Sequence, residues 1–158
     1  MHLALALPDP AEAGRGGGAT YMRDLADALR ALGHSLDVLH GDDPSFPSNA
    51  LPVIDGMLLP RLRDRLDQLV ARDSVAIVHH LSAAAGRDES ARAPVLAIER
   101  EMLPRFRRVI ATSAPVADRL LSDLGVTAAV VPPGARDLPR TSPDPADPAR
   151  RPAAPGPR

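Results

Sequence analysis

Short apolar runs alternate with helical stripes over residues 1–131, and this alternation limits the fold more than any other feature of the chain. Strands that are covered on both faces are apolar along their whole length, as in parallel sheets with helices on both sides. The sequence therefore predicts a Rossmann-like, doubly wound parallel α/β sheet. Strands are expected at residues 2–7, 35–39, 53–59, 75–79, 108–112 and 128–131, and helices at 19–32, at 62–70, from about Pro94 and from Pro115 to 124.

The expected helix ends carry their own signals. Met22, Leu25 and Leu29 lie on one apolar face of the first helix. Gly33 and Gly125 each follow a helix and precede a strand, where a left-handed glycine is the common C-cap. These signals support the order helix, glycine, strand near both ends of residues 1–131.

Composition changes near residue 132. Nine of the 27 residues from Pro132 to Arg158 are proline, and the apolar residues there are mostly alanine. Such a segment buries too little apolar surface to offset the entropy of ordering it. We therefore expect one folded domain over residues 1–135 and a disordered Pro/Arg-rich tail or linker over residues 136–158.

Composition also excludes several functions. The chain has no cysteine, which removes disulfides, thiolate metal sites and cysteine nucleophiles. All 19 basic residues are arginine, a bias typical of a GC-rich bacterial genome, so no lysine chemistry is available. A net charge of −1 and only 2% aromatic residues argue against a nucleic-acid surface. There is no apolar run of about 20 residues and no basic signal-peptide region, so a cytoplasmic location is expected.

Two segments that are distant in sequence are expected to meet at a cleft. In a sheet of order 3-2-1-4-5 the first and fourth strands are neighbours where the winding reverses, and ligands bind beyond their carboxyl ends. The glycine-rich loop after the first strand would then face His79 and His80 at the end of the fourth. Glycines before a helix expose N–H groups and the positive end of its dipole, which suits an anion. The residues assigned to substrate or phosphate binding are Gly16, Gly17, Gly18, Thr20, Tyr21 and His80, and His79 is the catalytic candidate.

Each of these features has a plainer alternative. Residues 14–19 match the dinucleotide fingerprint G-x-G-x-x-A, but six residues separate the first strand from the first glycine, which argues against dinucleotide binding. The plainer alternative for this segment is a surface loop that binds nothing. The imidazole of His79 suits proton transfer or orientation of a hydroxyl, although a lone histidine is often only packed or solvated. Asp55 belongs either to a turn or to the ligand edge of the domain, and His34 and His40 are interpreted as ordinary surface or strand-end residues. No metal site is expected, because the adjacent histidines lack ligand spacing.

Five segments, in order, resemble glycosyltransferase family 4, whose members have the GT-B fold. The glycine loop and first helix resemble the opening of that family, and the other segments resemble its "VDG", "HHP", "VTS" and "PPG" motifs. Leu81 stands where the family usually has proline. The segments are residues 16–34, Ile54-Asp55-Gly56, Val78-His79-His80-Leu81, residues 109–113 and Val130-Val131-Pro132-Pro133-Gly134.

The resemblance implies the acceptor-side domain of a retaining glycosyltransferase (a hexosyltransferase type) that uses a nucleotide-sugar co-substrate and no other cofactor. In the family His79 would contact the transferred sugar or the acceptor, and a second Rossmann domain with an E-x7-E motif holds the donor nucleotide. No two glutamates in this chain have that spacing. The expected partners are therefore a nucleotide sugar, an acceptor, and a donor-binding domain or second chain, without which the domain is expected to be inactive.

Two other functions stay open, as does a peripheral membrane contact for a lipid acceptor. One is a noncatalytic α/β binding or interaction module, and the other is a dinucleotide-binding enzyme domain.

Overall fold

A computed structural model describes residues 1–9, 17–81 and 89–134. Gly16 and the predicted tail, residues 136–158, lie outside the described residues. The strands are β1 (His2–Leu7), β2 (Ser35–His40), β3 (Leu51–Asp55), β4 (Val75–Val78), β5 (Arg108–Ala111) and β6 (Ala129–Val130). The α-helices are α1 (Gly17–Ala31), α2 (Leu66–Val70), α3 (Glu89–Met102) and α4 (Ala114–Leu124), with 3-10 turns at Gly56–Arg65 and Leu103–Arg105.

The strands form one parallel sheet, which confirms the Rossmann-like α/β prediction. Their order is β2-β1-β3-β4-β5-β6, and every pairing is parallel. The expected order 3-2-1-4-5 is wrong, because β3 lies between β1 and β4. Four of the five residues of β3 are buried, as a central strand requires, whereas β2 carries Ser35 and Asp37 and lies at the edge. The winding therefore reverses between β1 and β3.

Successive side chains along each strand point to opposite faces of the sheet, and each face has its own hydrophobic core. On one face Leu3, Leu5, Val53 and Ile77 pack against Tyr21, Met22 and Ala26 of α1. On the other face Ala6, Ile54, Ala76 and Val78 pack with residues of the 3-10 segment, α2, α3 and α4. The sheet is thus covered by helices on both faces.

The two predicted glycine C-caps are confirmed, and a serine caps the start of α4. Gly33 and Gly125 have φ of 82° and 68°, a left-handed conformation that suits glycine. The Ser113 hydroxyl accepts a hydrogen bond from the N–H of Val116 at the start of α4. Helix α3 begins at Glu89, before the position predicted from Pro94.

Within the described ranges, the helices are too short or too polar to cross a membrane.

Candidate functional site

A cavity of about 560 Å³ opens at the carboxyl edge of the sheet, beside the point where the winding reverses. Ligand sites of α/β sheets lie at this position. Its lining comes from the ends of β1, β3 and β4, from β2, from the start of the 3-10 segment, and from one face of α1 between Gly17 and Arg30. The residues that bear on the chemistry are Gly17, Gly18, Arg23, Arg30, His40, Asp55, Met57, His79 and His80.

The glycine-rich helix start and the histidine at the end of β4 come together, as the sequence predicts. A Cβ atom built on Gly18 would lie 3.4 Å from Cδ2 and Cγ of the His79 ring. The glycine therefore allows the backbone of α1 to approach the imidazole closely. Although β1 and β4 are not neighbours, the carboxyl ends of parallel strands share one edge, so the two segments still meet.

Asp55 is the buried carboxylate beside His79. Its side chain is 4% exposed and that of His79 is 9% exposed, and Asp55 Oδ2 lies 3.4 Å from His79 Nε2. Asp55 Oδ1 accepts a hydrogen bond of 2.9 Å from the N–H of Met57, which caps the 3-10 segment. The cap fixes the carboxylate, because rotating it would leave the Met57 N–H without its acceptor.

The Nε2 atom of His79 is buried and makes no hydrogen bond within the described part of the chain. The 3.4 Å distance from Nε2 to Asp55 Oδ2 is short enough for an ion pair, but the two groups do not have the geometry of a hydrogen bond. Catalytic hydrogen bonds in ligand-free enzymes are often long and shorten when substrate binds. The imidazole therefore lies beside a fixed carboxylate that can approach its Nε2 atom more closely.

Tyr21 packs against the ring of His79. The two rings meet edge to face, with centroids 5.2 Å apart and planes at 78°. The phenol O–H donates a 3.0 Å hydrogen bond to the carbonyl oxygen of Val131, which follows β6. Tyr21 therefore acts on the site by packing. It contacts His79 through its ring and Val131, after β6, through its hydroxyl.

Burial raises the pKa of the Tyr21 phenol above its ordinary value. The folded protein keeps this proton longer than the unfolded chain does, so we expect full stability below about pH 10 and a loss of stability as the pH rises further. Tyr21 is the sole tyrosine and the chain has no tryptophan, so ultraviolet absorbance reports this phenol alone. Urea unfolding of the wild type and of Tyr21→Phe, below and above about pH 10, measures how much stability depends on the Tyr21 proton. An absorbance titration midpoint at or below that of free tyrosine would contradict the raised pKa.

The predicted site residues divide into three groups. Gly17, Gly18, His79 and His80 line the cavity. Tyr21 packs behind His79, and its hydroxyl is bonded to the chain rather than presented to the cavity. Thr20 is exposed and does not line the cavity.

Three basic side chains that line the cavity were not among the predicted site residues. His40, interpreted as an ordinary strand-end residue, lines it, with its Nδ1 3.4 Å from the Pro8 carbonyl oxygen. Arg23 and Arg30 of α1 line it as well. The spacing of Arg23 and Arg30 on one helix face was the available signal.

The arrangement suits recognition of hydroxyls and anions at an apolar-walled site. His79 and Asp55 provide an imidazole beside a carboxylate, and the start of α1 provides N–H groups. Within the described residues, no group of three or more His, Asp or Glu side chains is placed to hold a metal ion.

No protein-family model matches this chain, and a search of curated proteins finds no match.

Proposed function

We propose that this chain is the acceptor-side domain of a retaining glycosyltransferase of the GT-B type, in glycosyltransferase family 4. Its substrates are a nucleotide sugar and an acceptor with a free hydroxyl. The observation that carries the proposal is the contact between Gly18 and His79 at the mouth of the cavity. It joins two of the five sequence segments that resemble the family, at the edge of the sheet where ligands bind.

The start of α1 is the element suited to the leaving group. Sugar transfer from a nucleotide sugar leaves a diphosphate whose negative charge increases in the transition state. The N-terminal N–H groups and dipole of α1 favour such charge at fixed positions, so they need not reorganise during the reaction. Gly17 and Gly18 let the reacting group approach this helix end without obstruction by side chains.

His79 is the residue suited to the sugar or acceptor hydroxyl. Asp55 lies on the Nε2 side of the imidazole, and the proposal assigns the other nitrogen to a hydrogen bond with a hydroxyl. Asp55 is a positioning residue in this scheme, since its carboxylate is buried and fixed by the Met57 N–H.

A second nucleotide-binding domain is part of the proposal. The cavity offers one wall of a cleft, and stabilising a diphosphate on both sides requires further cationic or N–H groups. We therefore expect sugar transfer only when that domain is present, in the same protein or in a partner chain.

The test is saturation-transfer NMR of the protein with UDP-glucose and GDP-mannose, with NAD as the competing ligand class. We expect saturation to be strongest on the sugar protons, because the proposed cavity faces the sugar and the nucleotide belongs on the second domain. Tighter binding of NAD than of either nucleotide sugar would favour a dinucleotide enzyme. Binding of none of these ligands by the folded protein would favour a noncatalytic module.

A matched pair of histidine variants locates the binding. His79→Gln is expected to remove most of the saturation transfer, because glutamine cannot keep the imidazole's contacts with Asp55 and Tyr21. His34→Gln, at a half-buried position outside the cavity lining, is expected to bind like the wild type. Equal effects of the two substitutions would remove His79 from the site.

A further inference from the structure

The cavity extends from the reactive end at His79 into a groove between α1 and the edge strand β2. Met22, Ala26 and Val38 supply its apolar wall. Every residue of β2 is at least partly exposed, because β2 is an edge strand whose face α1 covers only in part. A ligand held at His79 would therefore extend along this groove.

Basic side chains border the groove on two sides. Arg23 and Arg30 are two turns apart on α1 and lie on one face of the helix. His40 ends β2 and lines the same cavity. This face of α1 is cationic although the chain as a whole has a net charge of −1.

The positive charge of Arg23 is not neutralised by a described acid. Asp27, four residues later on α1, is an available partner, but its carboxylate lies 3.3 Å from Arg30 instead. That pair is solvent-exposed and therefore weak. Asp55, the acidic residue of the cavity lining, is occupied by the Met57 N–H and His79.

We infer that the groove binds a phosphate monoester carried by the acceptor, so that the acceptor is a phosphorylated polyol or sugar or the headgroup of a phosphorylated lipid. A phosphate monoester has a charge near −2 at neutral pH, which matches two guanidinium groups. Planar guanidinium groups bind phosphate oxygens through paired N–H donors. The inference rests on the proposed function in placing the acceptor hydroxyl at His79.

The phosphate would lie between Arg23, Arg30 and His40, separate from the diphosphate position at the start of α1. The apolar wall of Met22, Ala26 and Val38 suits the carbon skeleton that joins the phosphate to the reacting hydroxyl. The acceptor would be bound through its phosphate at one end and through its hydroxyl, at His79, at the other. Binding at both ends orients the hydroxyl before the reaction, and such orientation lowers the barrier to transfer.

The test uses glycerol 3-phosphate and glycerol in calorimetric titration. Vesicles of phosphatidylcholine with and without phosphatidic acid present the same phosphate on a lipid. We expect binding of the phosphate-bearing member in one of the two pairs and no measurable binding of the member without the group. The arm that responds identifies whether the phosphate comes on a soluble molecule or on a lipid headgroup.

Arginine variants locate the interaction. Arg23→Gln and Arg30→Gln are each expected to weaken binding about tenfold, because each removes a charged hydrogen-bond donor. Arg108→Gln is the matched control, since Arg108 is an exposed arginine at the amino end of β5, outside this cavity. An equal loss in the control, or equal binding with and without phosphate in both arms, overturns the inference.

Failure of the inference can be distinguished from failure of the proposed function. Saturation transfer that depends on His79 without any phosphate preference would overturn only the phosphate site. Phosphate binding that depends on Arg23 without any nucleotide-sugar contact would overturn only the glycosyltransferase proposal.

Discussion

Replacing Leu58 with alanine is expected to lower the free energy of unfolding by about 3 kcal/mol, because it leaves a cavity in the core. Leu58 is 0% exposed and belongs to the core on the face of the sheet away from α1. It lies in the 3-10 segment that Asp55 caps, so its loss also loosens the support of the buried carboxylate. Urea unfolding measures the change in the free energy of unfolding. If the slope of that free energy against urea concentration is unaltered, the substitution has changed stability and not the surface exposed on unfolding.

Leu32→Ala is the matched control for this prediction. Leu32 is 73% exposed, so the same substitution removes little buried surface and is expected to change the free energy of unfolding by less than about 0.5 kcal/mol. Similar losses for both leucines would contradict the assignment of Leu58 to a packed core.

Much of the fold can be predicted because its determinants are local. The apolar runs identify the strands, and Gly33, Gly125 and Ser113 mark helix ends through backbone conformation or a single hydroxyl. Burial of the sheet on both faces follows from strands that are apolar at consecutive positions. None of these inferences requires knowledge of which strands are neighbours.

Strand order is not determined locally, and there the prediction failed. A strand's sequence does not state its partners, so the third strand was placed at an edge. The residues did hold a usable signal: Val53 and Ile54 are consecutive apolar residues that need cover on both faces, whereas Asp37 is a polar residue of β2 that tolerates the edge. Because β3 lies in the interior of the sheet, the winding reverses between β1 and β3. Asp55 is the last residue of β3 and therefore lies beside this point.

The meeting of Gly18 and His79 was predicted even though the strand order was wrong. In a parallel sheet every strand ends at the same edge, so a loop after β1 and a residue after β4 reach one cleft across the intervening β3. The sequence left Asp55 undecided between a turn and a ligand-edge acid, and the structure combines both: it caps a turn and faces His79. The spacing of Arg23 and Arg30 places them on one face of α1, but which surface that face meets depends on how α1 lies across the sheet. No local pattern encodes that placement, and the same holds for the contribution of His40.

Gly18→Val is expected to weaken ligand binding at the cavity by at least about tenfold while the protein stays folded. A Cβ atom at this position would already contact the His79 ring at 3.4 Å, and the two methyl groups of valine extend further. The imidazole must then move away from the position fixed by Asp55 and Tyr21. Saturation-transfer NMR with the nucleotide sugars measures the loss, and thermal unfolding establishes that the variant is folded.

Gly17→Val supplies the control one residue earlier. Among the described residues, no atom lies within 4 Å of a Cβ built at Gly17, so a Cβ there contacts none of them. Neither glycine has a positive φ, and both lie in the first turn of α1, so the backbone and helix-propensity effects of the two substitutions match. Binding is therefore expected to persist in Gly17→Val and to fall in Gly18→Val. Equal binding by the two variants would mean that the contact with His79 does not shape the site.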